Sequence, residues 1–175
     1  MPDMSPHAVT IRPLAPWQIV DIAPFRCNPS SLAAILADAG FPAPEAGRTA
    51  VNATGRTAWA GRGHYFAIAP AGAPDIAARL RPLCAERAAL TTQGDGRCAF
   101  RIGGERSAAF LASTTGIDLH PGIFRDGDVA LGQIGHIGVH FWRTGEEGFD
   151  CLVFRSLANA LHHHLTEAAA MFAAC

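Results

Sequence analysis

The sequence predicts an α+β protein of two pseudo-repeated α/β units, each an antiparallel-rich sheet with helices packed on it. Three observations carry this. Short runs with apolar residues at every second position alternate with runs spaced at three and four residues, so strands and helices interleave. The connection Thr144-Gly145-Glu146-Glu147-Gly148 is short and polar, which makes its flanking strands a hairpin and therefore antiparallel. The two halves also superpose in residue class. Ser31 to Phe41 (SLAAILADAGF) matches Ser107 to Ile117 (SAAFLASTTGI), and GHYFAIAP followed by PDIAARL parallels GFDCLVFR followed by SLANAL.

Element by element, residues 1–16 hold Pro2, Pro6, Pro13 and Pro16 and predict an extended arm; the first repeat then covers 17–88 and the second 89–175. Residues 17–22 predict a strand. Asn28 can cap a helix in which Pro29 takes the first position, where its missing N–H has no intrahelical partner. Leu32, Ile35, Leu36 and Ala39 form its apolar stripe, and Gly40 ends it. Residues 48–59 predict a hairpin arm turning near Gly55, and 64–68 a strand. A helix from about Pro74 turns Ile76, Leu80 and Leu83 to the core, and Pro82 kinks or ends it.

In the second half, residues 89–93 and 97–102 predict strands around the turn Gly94-Asp95-Gly96. A helix over 105–115 places Ala108, Leu111 and Thr115 on one side. Strands follow near 129–133, 134–143 and 149–154, and Ser156 is expected to cap the last helix, with Leu157, Leu161, Leu165, Ala168 and Phe172 along it.

Composition narrows the function. All 14 basic residues are Arg, so lysine Schiff bases, a P-loop lysine and a kinase lysine are excluded. A formal net charge of -1 gives no basic field for a nucleic acid. Five scattered cysteines without a CxxC pair predict reduced thiols in a cytoplasmic protein. No opening signal segment and no bilayer-length apolar run stand in the sequence.

The eight histidines suggest a metal, but the geometry opposes it. His162, His163 and His164 are consecutive, and on a helix they point about 100° apart. His136 and His140 fall in a strand pattern with Ile137, Val139 and Phe141. There they share a face about 13 Å apart, too far to share one ion. No G-x-S-x-G elbow and no G-x-G-x-x-G fingerprint are present, and Cys151 lies beside acidic Asp150 in a core-facing position. Asp118, in the loop with His120, is the one carboxylate that suggests a ligand site, against the simpler role of capping its own loop. No catalytic, cofactor-binding or metal residue is assigned.

Several motifs carry a resemblance. They are Thr92-Gln93-Gly94-Asp95-Gly96-Arg97, Ile117-Asp118-Leu119-His120-Pro121, Leu131-Gly132-Gln133-Ile134-Gly135-His136, Phe141-Trp142-Arg143-Thr144-Gly145, and Phe149-Asp150-Cys151-Leu152-Val153-Phe154-Arg155-Ser156. In this order and spacing they resemble the gamma subunits of heterotetrameric sarcosine oxidase, over roughly 90–165. The resemblance implies a fold like the folate-binding domain of the glycine-cleavage aminomethyltransferase, and alpha, beta and delta subunits as partners. It implies that FAD, FMN, NAD, zinc and tetrahydrofolate belong to those partners, with none in this chain. The implied role is assembly and structural support for the demethylation of sarcosine. Two alternatives stay open: a stand-alone folate-binding aminomethyltransferase-like protein, and a gamma-type subunit serving another N-methylated amine.

The last hairpin suggests where a partner would sit. Ile137, Val139 and Phe141 share one face with Phe149, Cys151 and Val153; His136, His140, Trp142, Leu152 and Phe154 take the other. Two apolar faces require two covers, and the second cover is either the first repeat or another subunit. In the latter case Trp142 is the anchor. From the histidine geometry, elemental analysis of the untagged protein should find no stoichiometric zinc; one zinc per chain, lost on His136→Ala or His140→Ala, is the contrary result.

Overall fold

The computed structural model describes residues 9–174, in two compact units: residues 15–95, and residues 9–14 with 96–174. The chain opens with β1 (Thr10–Pro13), which belongs to the second unit.

The first unit runs β2 (Trp17–Pro24), α1 (Pro29–Asp38), β3 (Thr49–Val51), β4 (Arg56–Gly61), β5 (His64–Pro70), α2 (Ile76–Cys84), β6 (Ala88–Thr92). Its sheet is antiparallel throughout, in the order β3-β4-β5-β2-β6. Val20, Ile22, Ala67 and Ala69 pack against Leu32, Ile35 and Leu36 of α1 and Ile76 and Leu80 of α2. Local chemistry sets the boundaries. The Asn28 side chain accepts the Ser31 N–H at 2.8 Å, and Asp75 accepts from Ala77 and Ala78. Asn52 accepts the N–H groups of Thr54 and Gly55, which closes the β3–β4 turn. Leu83 is exposed; Cys84, one residue on, closes the stripe begun by Ile76, Ala77 and Leu80.

The second unit runs β1, β7 (Arg97–Gly103), α3 (Ser107–Ala112), β8 (Val129–Ile134), β9 (Ile137–Arg143), β10 (Gly148–Phe154), a 3-10 turn (Arg155–Leu157) and α4 (Ala158–Ala173). Its order, β1-β7-β10-β9-β8, is that of the first unit with each strand replaced by its counterpart. Thus β2, α1, β3, β4, β5 and α2 correspond to β7, α3, β8, β9, β10 and α4, which is the pseudo-repeat read from the sequence. Phe100, Ile102, Val139, Phe141, Phe149, Cys151 and Val153 meet Phe110, Leu111, Leu161 and Leu165 in its core.

The structure corrects several boundaries. Part of the proline-rich arm, Thr10–Pro13, is an edge strand on β7; residues 1–8 lie outside the described residues. Strand β6 pairs with β2, not with β7, so it completes the first unit. Gly94 permits this: a Cβ there would lie 2.7 Å from the Trp17 carbonyl oxygen, and the Gln93 N–H donates to Ile19 at 2.7 Å. Helix α3 is shorter than expected and buries Ser107, Phe110 and Leu111. Ser113 Oγ and Thr114 Oγ1 donate back to the carbonyls of Phe110 and Leu111, which ends the helix early. Ser156 caps nothing; it sits in the 3-10 turn, and Leu157 is exposed.

Gly135 and His136 form a two-residue turn, with Ile134 paired to Ile137. Gly135 has φ +57, and His136 keeps a negative φ, as a type II′ hairpin requires. A Cβ on Gly135 would also lie 2.8 Å from His164 Nε2 on α4. Gly135→Ala is therefore expected to cost about 1–3 kcal/mol in chemical denaturation, from backbone strain plus the clash. In a His164→Ala background the cost should shrink to the strain alone; an undiminished cost would show that His164 plays no part.

Candidate functional site

Of the sequence-derived candidates, Trp142, His140, Leu152 and Phe154 lie on the face of the second sheet opposite its helices. Three rows cross it. Arg101, Asp150, Trp142 and Val129 are partners in register; so are Ala99, Leu152, His140 and Leu131. Arg97 and Phe154 begin the third, with Gly138 and Gln133 paired beside them.

The first two rows are largely closed. Trp142 and Leu152 are 0% exposed and His140 is 2% exposed. The His140 and Trp142 rings meet edge to face at 5.7 Å. Asp150 accepts a two-pronged hydrogen bond from Arg101, Nε to Oδ1 at 2.6 Å and Nη2 to Oδ2 at 2.7 Å. That bond is the chief reason the Arg101 pKa rises; burial opposes it. This pair was not singled out from the sequence. Its signal was an acidic residue inside the apolar run of β10.

Trp142, His140 and Leu152, named from the sequence as candidate interface residues, are buried in this structure. Alternating apolar residues on both faces of a strand report burial without saying what supplies the cover. Of the remaining candidates, His136 is exposed on the β8–β9 turn, outside the strand expected for it. Phe154 is 51% exposed, with the Arg97 guanidinium 4.4 Å from its ring centroid. Leu131, 46% exposed, lies at the open margin of the same face.

The other candidates hold the fold together. Asp118 accepts the His120 N–H at 2.9 Å, and His120 Nδ1 accepts the Gly122 N–H at 3.1 Å. Both side chains are exposed and serve their own loop, while Leu119 between them is core. Arg143 of the Trp-Arg-Thr-Gly stretch is buried. It donates to the carbonyls of Phe124 (3.0 Å), Gly145 (3.1 Å) and Glu146, and its guanidinium lies over the Phe149 ring. A Cβ on Gly132 would fall 2.5 Å from Ile117 Cδ1, so the Leu131–His136 motif leaves room for the Ile117 loop.

Burial pushes the Cys151 thiol well up, and Asp150 adds to it. His162 stacks on Phe100 at 5.8 Å, and His163 lies 3.3 Å from Glu167. His164 lines an open, mostly apolar groove of about 410 Å³ with Thr114, Ala168, Met171 and Phe172. Among the described residues no three His, Cys, Asp or Glu side chains are grouped as a metal would need.

Because Trp142 is interior, Trp142→Ala should destabilise the isolated chain by about 3–5 kcal/mol. Arg101→Ala, which strands a buried carboxylate, should cost about 1–3 kcal/mol, reduced from a fully buried pair because Arg101 is over a third exposed. Urea denaturation measures both; a near-neutral Trp142→Ala would return that residue to a partner surface.

No protein-family model matches the chain. The sarcosine oxidase subunit gamma of Corynebacterium sp. (strain P-1) is 29% identical over 115 residues, 66% of this chain. The match spans 57% of that relative's length. A chain of the heterotetrameric sarcosine oxidase from Corynebacterium sp. U-96 superposes with a TM-score of 0.86 at 25% identity, over 98% of this chain and 88% of that one. The glycine cleavage system aminomethyltransferase T of Bartonella henselae gives a TM-score of 0.65 at 15% identity, over 91% of this chain and 45% of that one, a likeness of fold alone. The chain is thus homologous to sarcosine oxidase gamma subunits, on the fold that it shares with the aminomethyltransferase.

Proposed function

We propose that this chain is the non-catalytic gamma subunit of a heterotetrameric sarcosine oxidase and acts in its assembly and structural support. The observation that carries the reading is the superposition on a chain of such an oxidase over nearly the full length of both. The use of the motifs that carry the resemblance supports it. Asp118, His120, Arg143, Gly132 and Gly135 close loops, hold hairpins and admit neighbouring side chains. Asp150 is saturated by Arg101.

The partners in this reading are alpha, beta and delta subunits. They bring the FAD, FMN, NAD, zinc and tetrahydrofolate, and they oxidise sarcosine to glycine with release of peroxide. In this reading the complex is cytoplasmic. Among the described residues no helix is long and apolar enough to cross a membrane.

Co-expression with the large flavin-bearing subunits tests this. The chain should co-purify in an assembly that forms peroxide from sarcosine, while the chain alone is colourless and forms none. A yellow isolated chain, or an oxidase equally stable and active without it, would overturn the proposal.

A further inference from the structure

Two cysteines of the first unit converge from distant parts of the chain. Cys27 lies in the bend between β2 and α1, one residue before the Asn28 cap, and is half-buried. Its thiol lies 3.5 Å from the Arg87 carbonyl oxygen. Cys84 is the last residue of α2 and is 1% exposed. The Arg87 N–H donates to the Cys84 carbonyl at 3.0 Å, and the Arg87 carbonyl accepts from Phe25 and Arg26. One residue, Arg87, thus ties both segments together. Within this turn Glu86 has φ +60, the one positive φ outside glycine among the described residues. Both cysteine side chains pack in the same apolar cluster. The Cys84 thiol is shifted up, first by burial and then by the charge of Cys27, so each group lies within the other's field. Both are free thiols in this structure.

We propose that Cys27 and Cys84 are a peroxide-responsive pair that closes to an intramolecular disulfide. Cys27, half-open to solvent, reacts first. Its thiolate attacks one oxygen of hydrogen peroxide; an S–O bond forms, the O–O bond breaks, and the departing hydroxide takes a proton to become water. Cys84, shielded from solvent, then resolves the sulfenic acid. It gives up its proton and attacks the Cys27 sulfur; the S–S bond forms, the S–O bond breaks, and the second water leaves. Two thiols are oxidised by two electrons and one peroxide is reduced to two waters. The bond would tie the start of α1 to the end of α2 and close a loop of about 57 residues, a constraint that acts on the unfolded chain. That an oxidase supplies the peroxide rests on the function proposed above; the chemistry of the pair does not.

The test is made on the full chain carrying Cys98→Ala and Cys175→Ala, which leaves the pair and buried Cys151. Hydrogen peroxide at slight excess should remove two thiols and yield a linked Cys27–Cys84 peptide that dithiothreitol releases. Tm should rise by several degrees in the oxidised form. Cys27→Ser should abolish the thiol loss, and Cys84→Ala should leave a Cys27 sulfenic acid that dimedone traps. Sulfinic acid at Cys27 with Cys84 still free, linkage through Cys151, or no thiol loss under conditions that oxidise glutathione would overturn the proposal. Repeating the peptide map on the assembled oxidase during sarcosine turnover separates the two readings. A bond formed by added peroxide but never by turnover keeps the pair and removes the oxidase as its source.

Discussion

The Asp150 carboxylate stands in β10, a strand whose residues from Gly148 to Val153 are all buried, and much of the second unit is arranged around that fact. An ionisable group in such a place is costly unless its oxygens are met. Arg101, directly opposite on β7, meets both, and the remainder of the guanidinium reaches solvent. A slip of β10 by one residue would turn Asp150 into the cluster of Phe141, Phe149 and Val153 and would separate it from Arg101. The same register places Trp142 opposite Asp150 and His140 opposite Leu152.

Around this strand the chain's most distinctive motifs divide the mechanical tasks. Arg143 joins the Phe124 loop to the β9–β10 hairpin by donating to carbonyls in both. Gly132 yields space to Ile117, whose loop carries Leu119 into the core. Gly135 turns β8 into β9 and admits His164 from α4. Each motif therefore reaches a different element, and together they bind the loop, the hairpin and the last helix to the sheet. Residues used in this way are as constrained as catalytic ones, because a Cβ or a lost donor at any of them disturbs two elements at once.

The elements legible in the sequence are those whose signals are local. Asn28-Pro29, the spacing of Leu32, Ile35 and Leu36, and the Thr144–Gly148 hairpin each depend on a few neighbouring residues, and all appear where expected. The misread elements depend on distant partners. Gly94-Asp95-Gly96 has hairpin composition, yet Gly94 serves a close approach to Trp17 and sends β6 to β2. Pro13 suggested an arm, although an edge strand tolerates proline at its end. Ser113 and Thr114 belonged to a helical pattern until their hydroxyls turned back on the carbonyls that would have continued it. The same limit applied to the candidate interface. Alternation marked Trp142, His140 and Leu152 as residues that need cover, and all three are buried in the structure.

The internal repeat also bears on how one architecture can host different roles. The two sheets have the same strand order, and the fifth strand comes after α2 in the first unit but from the N-terminal β1 in the second. Such a frame specifies where side chains point and leaves open what they do. A catalytic site on it would need polar groups left unsaturated and aimed at open space. In the second unit the buried polar groups point the other way. Ser107 donates to the Glu147 carbonyl, Arg143 to three carbonyls and Arg101 to Asp150, while the His140 and Trp142 rings meet edge to face. Ser107, Arg143 and Arg101 direct these hydrogen bonds inward, to the chain's own backbone and side chains. In the second unit these groups shape and stiffen the sheet and its loops, while Phe154 and Leu131 stand exposed at its margin.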